Sequence, residues 1–390
     1  MSLPERKESK LGVVLVLGTT QTLAWASTYY LPAILADSIS DELGMSSTWF
    51  FSAFSASLVV AAMVGPRVGR TVDAIGGREV LAASNVIIAA GLAALAFAHS
   101  QTMLWVAWLI LGLGMGVGLY DTAFATLGRI YGRDARSAIT GITLVAGFAS
   151  TIGWPLTAWG ASELGWRETC LAWAAANVLL GLPLNYFRLP KPTDTVAPTQ
   201  NPEKPHVPID RPMIILGFAF AASWMVVAAM AVHLPRLLEA AGATGVQAVA
   251  AGALIGPAQV GARIVEASLL KRFHPMVAAR ISVALHPIGA GVLAVFGAVA
   301  ASGAFTVLHG AGSGILTIAR GTVPLAMFGA ANYGYRLGLL GAPSRVAMAA
   351  APLLFGILIE RYGAGVLVFS SGLSIAALAG LCTLRIKTAT

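Results

Sequence analysis

Charge is scarce in this chain. Asp, Glu, Lys and Arg make up 11% of 390 residues, against 57% hydrophobic residues, and mean hydropathy is +0.78. So little polar surface cannot cover a water-soluble globule, which places the chain in a lipid bilayer. Cysteine is nearly absent: Cys170 and Cys382 sit in separate apolar stretches, which excludes a disulfide framework. Acidic residues are fewer than basic ones, 17 against 25. No His/Cys cluster, nucleophile pair or phosphate loop is recognisable, so no metal, no cofactor and no enzymatic activity is expected. The run from Gly112 to Gly118 lacks the G-x-G-x-x-G spacing and lies inside an apolar stretch, where small residues serve close helix packing.

What is abundant is continuous hydrophobicity. Apolar stretches at 12–36, 47–66, 80–98, 103–127, 137–159, 168–187, 212–235, 246–269, 276–300, 304–327, 343–360 and 365–384 are each long enough to cross about 30 Å of hydrocarbon as a helix. The runs do not alternate, and an open sheet would leave backbone groups unpaired in lipid, so strands are excluded. The expected fold is all-α and integral to the membrane, with twelve transmembrane helices. The first span, 12–36, is too long for a signal-peptide core and is expected to remain in the mature protein.

Lys and Arg set the orientation. One side is read as carrying Arg6, Lys7 and Lys10, Arg67, Arg70 and Arg78, and Arg129, Arg133 and Arg136. To the same side fall Arg188, Lys191, Lys204 and Arg211, Lys271, Arg272 and Arg280, Arg336 and Arg345, and Arg385 and Lys387. The other side has Arg167, Arg236 and Arg361. Both termini are therefore expected in the cytoplasm, in a multi-pass protein of the cell inner membrane. The net charge of +8 is then a topology signal and no nucleic-acid partner is implied.

The proline-rich segment 190–211 has no apolar periodicity and reads as a cytoplasmic linker between an amino-terminal six-helix unit, 1–189, and a carboxy-terminal one, 212–390. The halves echo each other. Leu31-Pro32 after Trp25 matches Leu234-Pro235 after Trp224, and Gly65-Pro66 matches Gly256-Pro257. Gly112, Gly114 and Gly116 match Gly310, Gly312 and Gly314. Three matches in order point to a duplicated unit of the kind transporter folds use.

The stretch Gly69 to Arg78 reads as a charged, glycine-rich turn between spans two and three. With the twelve spans and the central linker, Gly69-x-x-x-Asp73-x-x-Gly76-x-Arg78 resembles the major facilitator superfamily over essentially the whole chain. The resemblance implies two pseudo-symmetric six-helix bundles and alternating access. It gives Gly69 to close helix packing, Asp73 to a latch on neighbouring helix ends that shuts the cytoplasmic side, Gly76 to the turn and Arg78 to an ion-pair network. Ala74 and Gly77 stand where that family usually has basic residues. Trp108 stands four residues before Gly112, where many proton-driven members carry Arg, and Trp154 interrupts the Gly-Pro signature of drug antiporters. The segment from Tyr131 to Ala138, running on to Gly141, is similar to the entry of span five in monocarboxylate-transporter-like members, which implies a small organic acid as substrate.

Spans one, four, seven and ten line the central cavity in that fold. On span ten, His309, Ser313 and Arg320 are spaced i, i+4 and i+11 and fall within about 40° of one face. Arg320 is read either as a bidentate ligand for an anion or as a gate partner of Asp121 on span four; Asp121 is also a candidate proton carrier. On span eight, Gln259, Arg263 and Glu266 share a face, with Gly252 and Gly256 expected to allow close packing. There Arg263 either contacts substrate or is structural, with Arg263 and Glu266 neutralising each other or joining the cytoplasmic network as Asp73 and Arg70 would in the first half. Trp25, Tyr29, Tyr30, Tyr120 and Trp224 are expected to form a cavity wall suited to an amphipathic solute. His286, on a lipid-facing support helix, and His233 are read as packing residues.

The expected function is a monomeric secondary transporter, active or facilitative, that moves a small anionic organic solute across the inner membrane, with protons as the candidate coupling ion in a symport. The alternatives are an efflux transporter for amphipathic or toxic compounds and a non-transporting sensor of the same fold.

Overall fold

A computed structural model describes residues 9–191 and 207–384. Most of the expected linker lies outside these residues, as do Arg6, Lys7, Lys204, Arg385 and Lys387. Among the described residues, nine helical stretches are long and apolar enough to cross a membrane. Three of them, of 63, 54 and 51 residues, far exceed the roughly 20 residues of one crossing. Each contains a break: the short turn Gly132–Ala135, Gly297 with φ 78°, and Gly363–Gly365. The fold-back at Gly297 is visible in the pairs that meet across it. His286 touches His309, and a Cβ on Gly312 would lie 2.6 Å from the Ser282 carbonyl oxygen.

Twelve spans result. They are α1 (Lys10–Glu42), α2 (Ser47–Ile75), α3 (Arg78–Ala96), α4 (101–131), α5 (136–163), α6 (Trp166–Arg188), α7 (Arg211–Ala240), α8 (Gly245–Ser268), α9 (275–296), α10 (298–328), α11 (Tyr333–Tyr362) and α12 (Val366–Thr383). Polar caps start several of them. Ser46, Ser100 and Asp210 accept from the backbone N–H three residues on, and Thr244 forms a capping box with Gln247.

Several helix ends differ from the hydropathy reading. Helix α2 continues to Ile75, so Gly69 and Asp73 are helical, and the turn is confined to Gly76, with φ 89°, and Gly77. Helix α11 begins at Tyr333 rather than near 343, so Arg336 and Arg345 belong to the helix and not to a loop. Arg236 likewise lies inside α7. Helix α4 is broken at Leu119 (ψ −173°), and the Gly118 carbonyl accepts instead from Gln21 of α1 at 2.7 Å. Hydropathy underestimates α2 and α11 because their ends are held by packing between the two bundles, which tolerates polar residues that lipid would not.

That packing is between α2 and α11. A Cβ on Gly69 would fall 2.0 Å from the Gly334 carbonyl oxygen, and one on Gly338 would fall 2.5 Å from that of Gly65. The backbones touch here, so no side chain larger than hydrogen fits. The expectation of close packing at Gly252 and Gly256 fails, since a Cβ at either meets nothing within 4 Å. The close approach of α8 comes from glycines on α10 instead: a Cβ on Gly314 would lie 2.5 Å from the Gln259 carbonyl oxygen, and one on Gly310 would lie 3.0 Å from that of Ile255.

Gly69→Ala must push α2 and α11 apart, a strain of about 1–3 kcal/mol by analogy with overpacked cores, whereas Gly261→Ala has open space. We expect a clear drop in melting temperature in detergent for the first and little change for the second. Equal melting points would show that the two helices do not meet this way.

Candidate functional site

The break at Leu119 restarts α4 at Tyr120 and places Asp121 in the first turn of the new helical segment. A carboxylate is favoured there by the helix dipole. Its Oδ2 accepts a hydrogen bond from Arg320 Nη2 of α10 at 2.6 Å and is ion-paired with Arg345 Nη2 of α11 at 2.7 Å. Arg345 also donates to the Ala61 carbonyl of α2 at 3.3 Å. The three charged side chains are 9–11% exposed. Room for them exists because residue 341 is glycine: a Cβ there would lie 2.7 Å from both Arg320 Nη2 and Asp121 Oδ2.

These charges face a narrow cavity between the bundles. The remaining walls are largely aromatic and aliphatic, including Trp25, Tyr29, Tyr120, Phe124, Trp224 and Met348. Trp25 packs on Tyr29 and Tyr120 with centroids 5.2 and 5.1 Å apart, and on Tyr30 at 5.9 Å. The Arg320 guanidinium lies 5.7 Å from the Trp224 ring centre, within cation–π range. The indole N–H groups of Trp25 and Trp224 and the Oδ1 of Asp121 are buried without a hydrogen-bond partner.

The structure brings Asp121, Arg320, Trp25, Tyr29, Tyr120 and Trp224 together. It separates the rest. His309 and Ser313 do not share the central cavity with Arg320; they face a second cavity between α7, α9, α10 and α12. The long Arg320 side chain leaves the helix face to reach Asp121, while the short ones stay inside the second bundle. His286 is not lipid-facing: it is 5% exposed and meets His309 and Ser370. Arg263 and Glu266 do not pair with each other. Arg263 donates to the Thr143 carbonyl at 3.0 Å, and Glu266 accepts from Arg136 and Thr140, both at 3.2 Å, across the bundle boundary. Gln259 is half-buried on α8, where its backbone meets Gly314. His233 contacts the Pro352 carbonyl at 2.8 Å.

At one end of the bundle pair, both Asp73 oxygens accept backbone N–H groups at the start of α11, Gly334 and Tyr335, each at 2.8 Å. Arg129 donates to the carbonyls of Asp73 and Ala74. Arg136 adds bonds to Phe273 and Leu270 carbonyls at 2.7 and 3.1 Å. Among the described residues Arg78 joins no ion pair; its guanidinium stacks 4.6 Å from the Tyr186 ring centre. Gly77 has its own reason, since a Cβ would collide with Thr126 Oγ1 at 1.7 Å.

Arg345 is the site residue that sequence reasoning missed. Its position at the edge of the apolar stretch 343–360, just after Arg336 and several glycines, reads as a helix end beside the charged connection. The spacing Gly334, Gly338, Gly341 is a small-residue stripe at helical intervals, and it was the available signal for a packed helix carrying Arg345 inward.

A family model described as Major Facilitator Superfamily matches residues 17–307. The chain belongs to this superfamily. Solved structures agree in fold. The human organic anion transporter MFSD10 (TETRAN) superposes with a TM-score of 0.76 at 17% identity, over 96% of this chain and 100% of that one. The proton:xylose symporter XylE gives 0.77 at 13%, over 96% and 95%. The E. coli fucose:proton symporter FucP gives 0.74 at 14%, over 96% and 99%. No curated protein sequence matches. As a superfamily member the chain is a multi-pass membrane protein of a transporter family, and its central cavity lies between the two bundles.

In this member of the superfamily, one carboxylate serves two guanidinium groups. Arg320→Met therefore leaves Asp121 paired with Arg345, whereas Asp121→Asn leaves two buried cations facing each other. Removing one partner of a buried pair typically costs about 3–5 kcal/mol. We expect Asp121→Asn to lower the melting temperature in detergent well beyond Arg320→Met. Equal losses would mean that the carboxylate is not shared.

Proposed function

We propose that this protein is a secondary transporter that carries a small organic anion by alternating access, with the Asp121, Arg320 and Arg345 cluster as its central site. The observation that carries this reading is the charge count in the cavity. Two guanidinium groups stand against one carboxylate, so the site holds an excess positive charge in a partly dehydrated place. An isolated buried charge is costly, and a bound anion removes that cost. Arginine offers a planar fork to a carboxylate, and the unpartnered indole N–H groups of Trp25 and Trp224 add donors of the same sense. The aromatic wall suits an apolar body on the anion. That a fold neighbour is named an organic anion transporter is consistent with this class.

The units 1–189 and 212–390 would rock about this site. The Asp73 end carries Lys10, Arg129, Arg133, Arg136, Lys271 and Arg272, which favours the cytoplasm for that end and the cell inner membrane for the protein. Asp73 on the start of α11, with Gly69 and Gly76 giving it that position, would then act as the cytoplasmic latch. Such a contact contributes about 0.3–2 kcal/mol, enough to bias two states without freezing either. The aromatic wall also favours a second reading, export of an amphipathic compound, in which the arginines would be structural.

A thermal-shift screen of the purified protein separates the two. The panel is mono- and dicarboxylates, sugars, amino acids, oxyanions and hydrophobic cations, repeated on Arg320→Ala and Arg345→Ala. A ligand at about a hundred times its dissociation constant stabilises the folded form by about 2.7 kcal/mol. We expect saturable stabilisation by one carboxylate class that is lost in both variants. Stabilisation by hydrophobic cations alone, unchanged in the variants, would replace the anion reading with the exporter.

A further inference from the structure

The second cavity, inside the bundle of α7 to α12, is polar in a way that packing does not require. His286 and His309 are 5% and 4% exposed, and Ser223, Ser282, Ser313 and Ser374 line the same space. The histidine rings touch through their Nδ1 atoms at 3.0 Å, and His286 Nε2 lies 2.9 Å from Ser370 Oγ.

One assignment of donors and acceptors satisfies these contacts as follows. In it the Ser370 hydroxyl donates to the Leu367 carbonyl at 3.2 Å and accepts from His286. A neutral imidazole has one N–H. That of His286 is therefore on Nε2, and its Nδ1 accepts. The proton in the contact between the two Nδ1 atoms belongs to His309, whose Nε2 is left as a bare lone pair.

The serines are spent in the same direction. Ser223 donates to Ala219, Ser282 to Ala279 and Ser313 to Gly310, at 2.7, 2.7 and 2.9 Å, each giving its only hydroxyl proton to its own helix. Toward the cavity they present lone pairs. Four hydrogen-bond acceptors, His309 Nε2 and the oxygens of Ser223, Ser282 and Ser313, thus face one space beside a single serine hydroxyl, Ser374, that is not spent on its own helix, an arrangement that favours a species bringing protons of its own. No carboxylate or basic side chain other than the two imidazoles lines this cavity among the described residues, from α7, α9, α10 or α12. Arg320, further along α10, is engaged by Asp121.

The first bundle offers a contrast at the corresponding helices. Between α1, α3 and α6, Asn85 lies 2.7 Å from Asn185 and 3.1 Å from Asn177, and Asn177 donates to Ser27 at 3.1 Å. Amides do not titrate. Only the second bundle fills this place with imidazoles.

We propose that His309 Nε2 is a proton-binding site, backed by His286 and Ser370 and loaded from the serine-lined cavity, and that it supplies the coupling proton of the transport cycle. In the loading step a hydronium ion in the cavity gives up one proton. An N–H bond forms at His309 Nε2, an O–H bond of the hydronium breaks, and water remains. The imidazolium so formed is hydrogen-bonded at Nδ1 by His286 and faces serine lone pairs at Nε2. The coupling role rests on the transport reading above; the proton site does not rest on the anion assignment.

The test is a nitrogen NMR titration of histidine-labelled protein in nanodiscs, with resonances assigned from His309→Gln and His286→Ala. Over about pH 5 to 8, the window of an imidazole switch, we expect one Nε2 resonance to pass from acceptor to protonated type. It should vanish in His309→Gln and shift its midpoint to lower pH in His286→Ala, which removes the acceptor that stabilises the cation. An Nε2 that never titrates, or a midpoint indifferent to His286, overturns the site. Coupling is read in proteoliposomes with radiolabelled lactate and benzoate under an imposed pH gradient. His309→Gln should lower the ratio of gradient-driven accumulation to exchange to that of a leak. A wild-type ratio in the variant overturns the coupling role. If the wild type moves neither probe, the anion reading fails, and the titration still decides the proton site.

Discussion

The sharing of one carboxylate, Asp121, by two arginines from the other bundle is the constraint on which the rest of this structure depends. It requires a break in α4 so that the carboxylate sits at a helix start, and Leu119 provides one. It requires a glycine at 341, because the guanidinium and the carboxylate occupy the space of a side chain. It requires α2 and α11 to approach until their backbones touch, which Gly65, Gly69, Gly334 and Gly338 allow. A buried ion cluster of this kind is poor at adding stability, since desolvation consumes most of the Coulomb gain. Its value is in what it selects: three helices must be in register for one oxygen to satisfy both cations.

Around this centre the contacts between bundles are of a different kind. Asp73 binds backbone N–H groups, Arg136 binds carbonyls and the Glu266 carboxylate, and Arg263 binds the Thr143 carbonyl. All but the Glu266 pair involve backbone groups, which sit at fixed positions on rigid helices. Each is modest in energy, so an alternating-access cycle can break them without a prohibitive barrier, and the short distances mean that they form in one arrangement only. The glycine contacts act in the same way, because a backbone crossing tolerates sliding poorly and separation well.

The fold was legible in the sequence because the bilayer enforces it: scarce charge and twelve apolar runs leave few other solutions. The aromatic wall, Asp121 and Arg320 were legible for the same reason, since a charge within an apolar span must have a purpose. What sequence could not show was set by contacts far apart in the chain. Helix α11 starts before its apolar stretch because its polar first turns are packed on α2 and not exposed to lipid, and that extension carries Arg345 from the apparent helix end into the interior. The Arg263 and Glu266 pair looked self-sufficient on a helical wheel, but each found a partner on α5. His309, Ser313 and Arg320 share a face by spacing, yet the length of the arginine side chain sends it to a different cavity.

The two polar cavities carry complementary deficits. The central one sets two guanidinium groups and unpartnered indole donors against one carboxylate; the one in the second bundle presents histidine and serine lone pairs. On the proposed reading the first is completed by an anion and the second by a proton. Moving one elementary charge against a membrane potential costs about 2.3 kcal/mol per 100 mV. A monoanion travelling with one proton avoids that term, since the loaded carrier then has the same net charge as the empty one. The pH gradient alone would drive such a cycle. The physical separation of the two sites also matters, because a proton held beside Arg320 would repel it, whereas one held among serine lone pairs, away from the arginines, leaves the anion site intact.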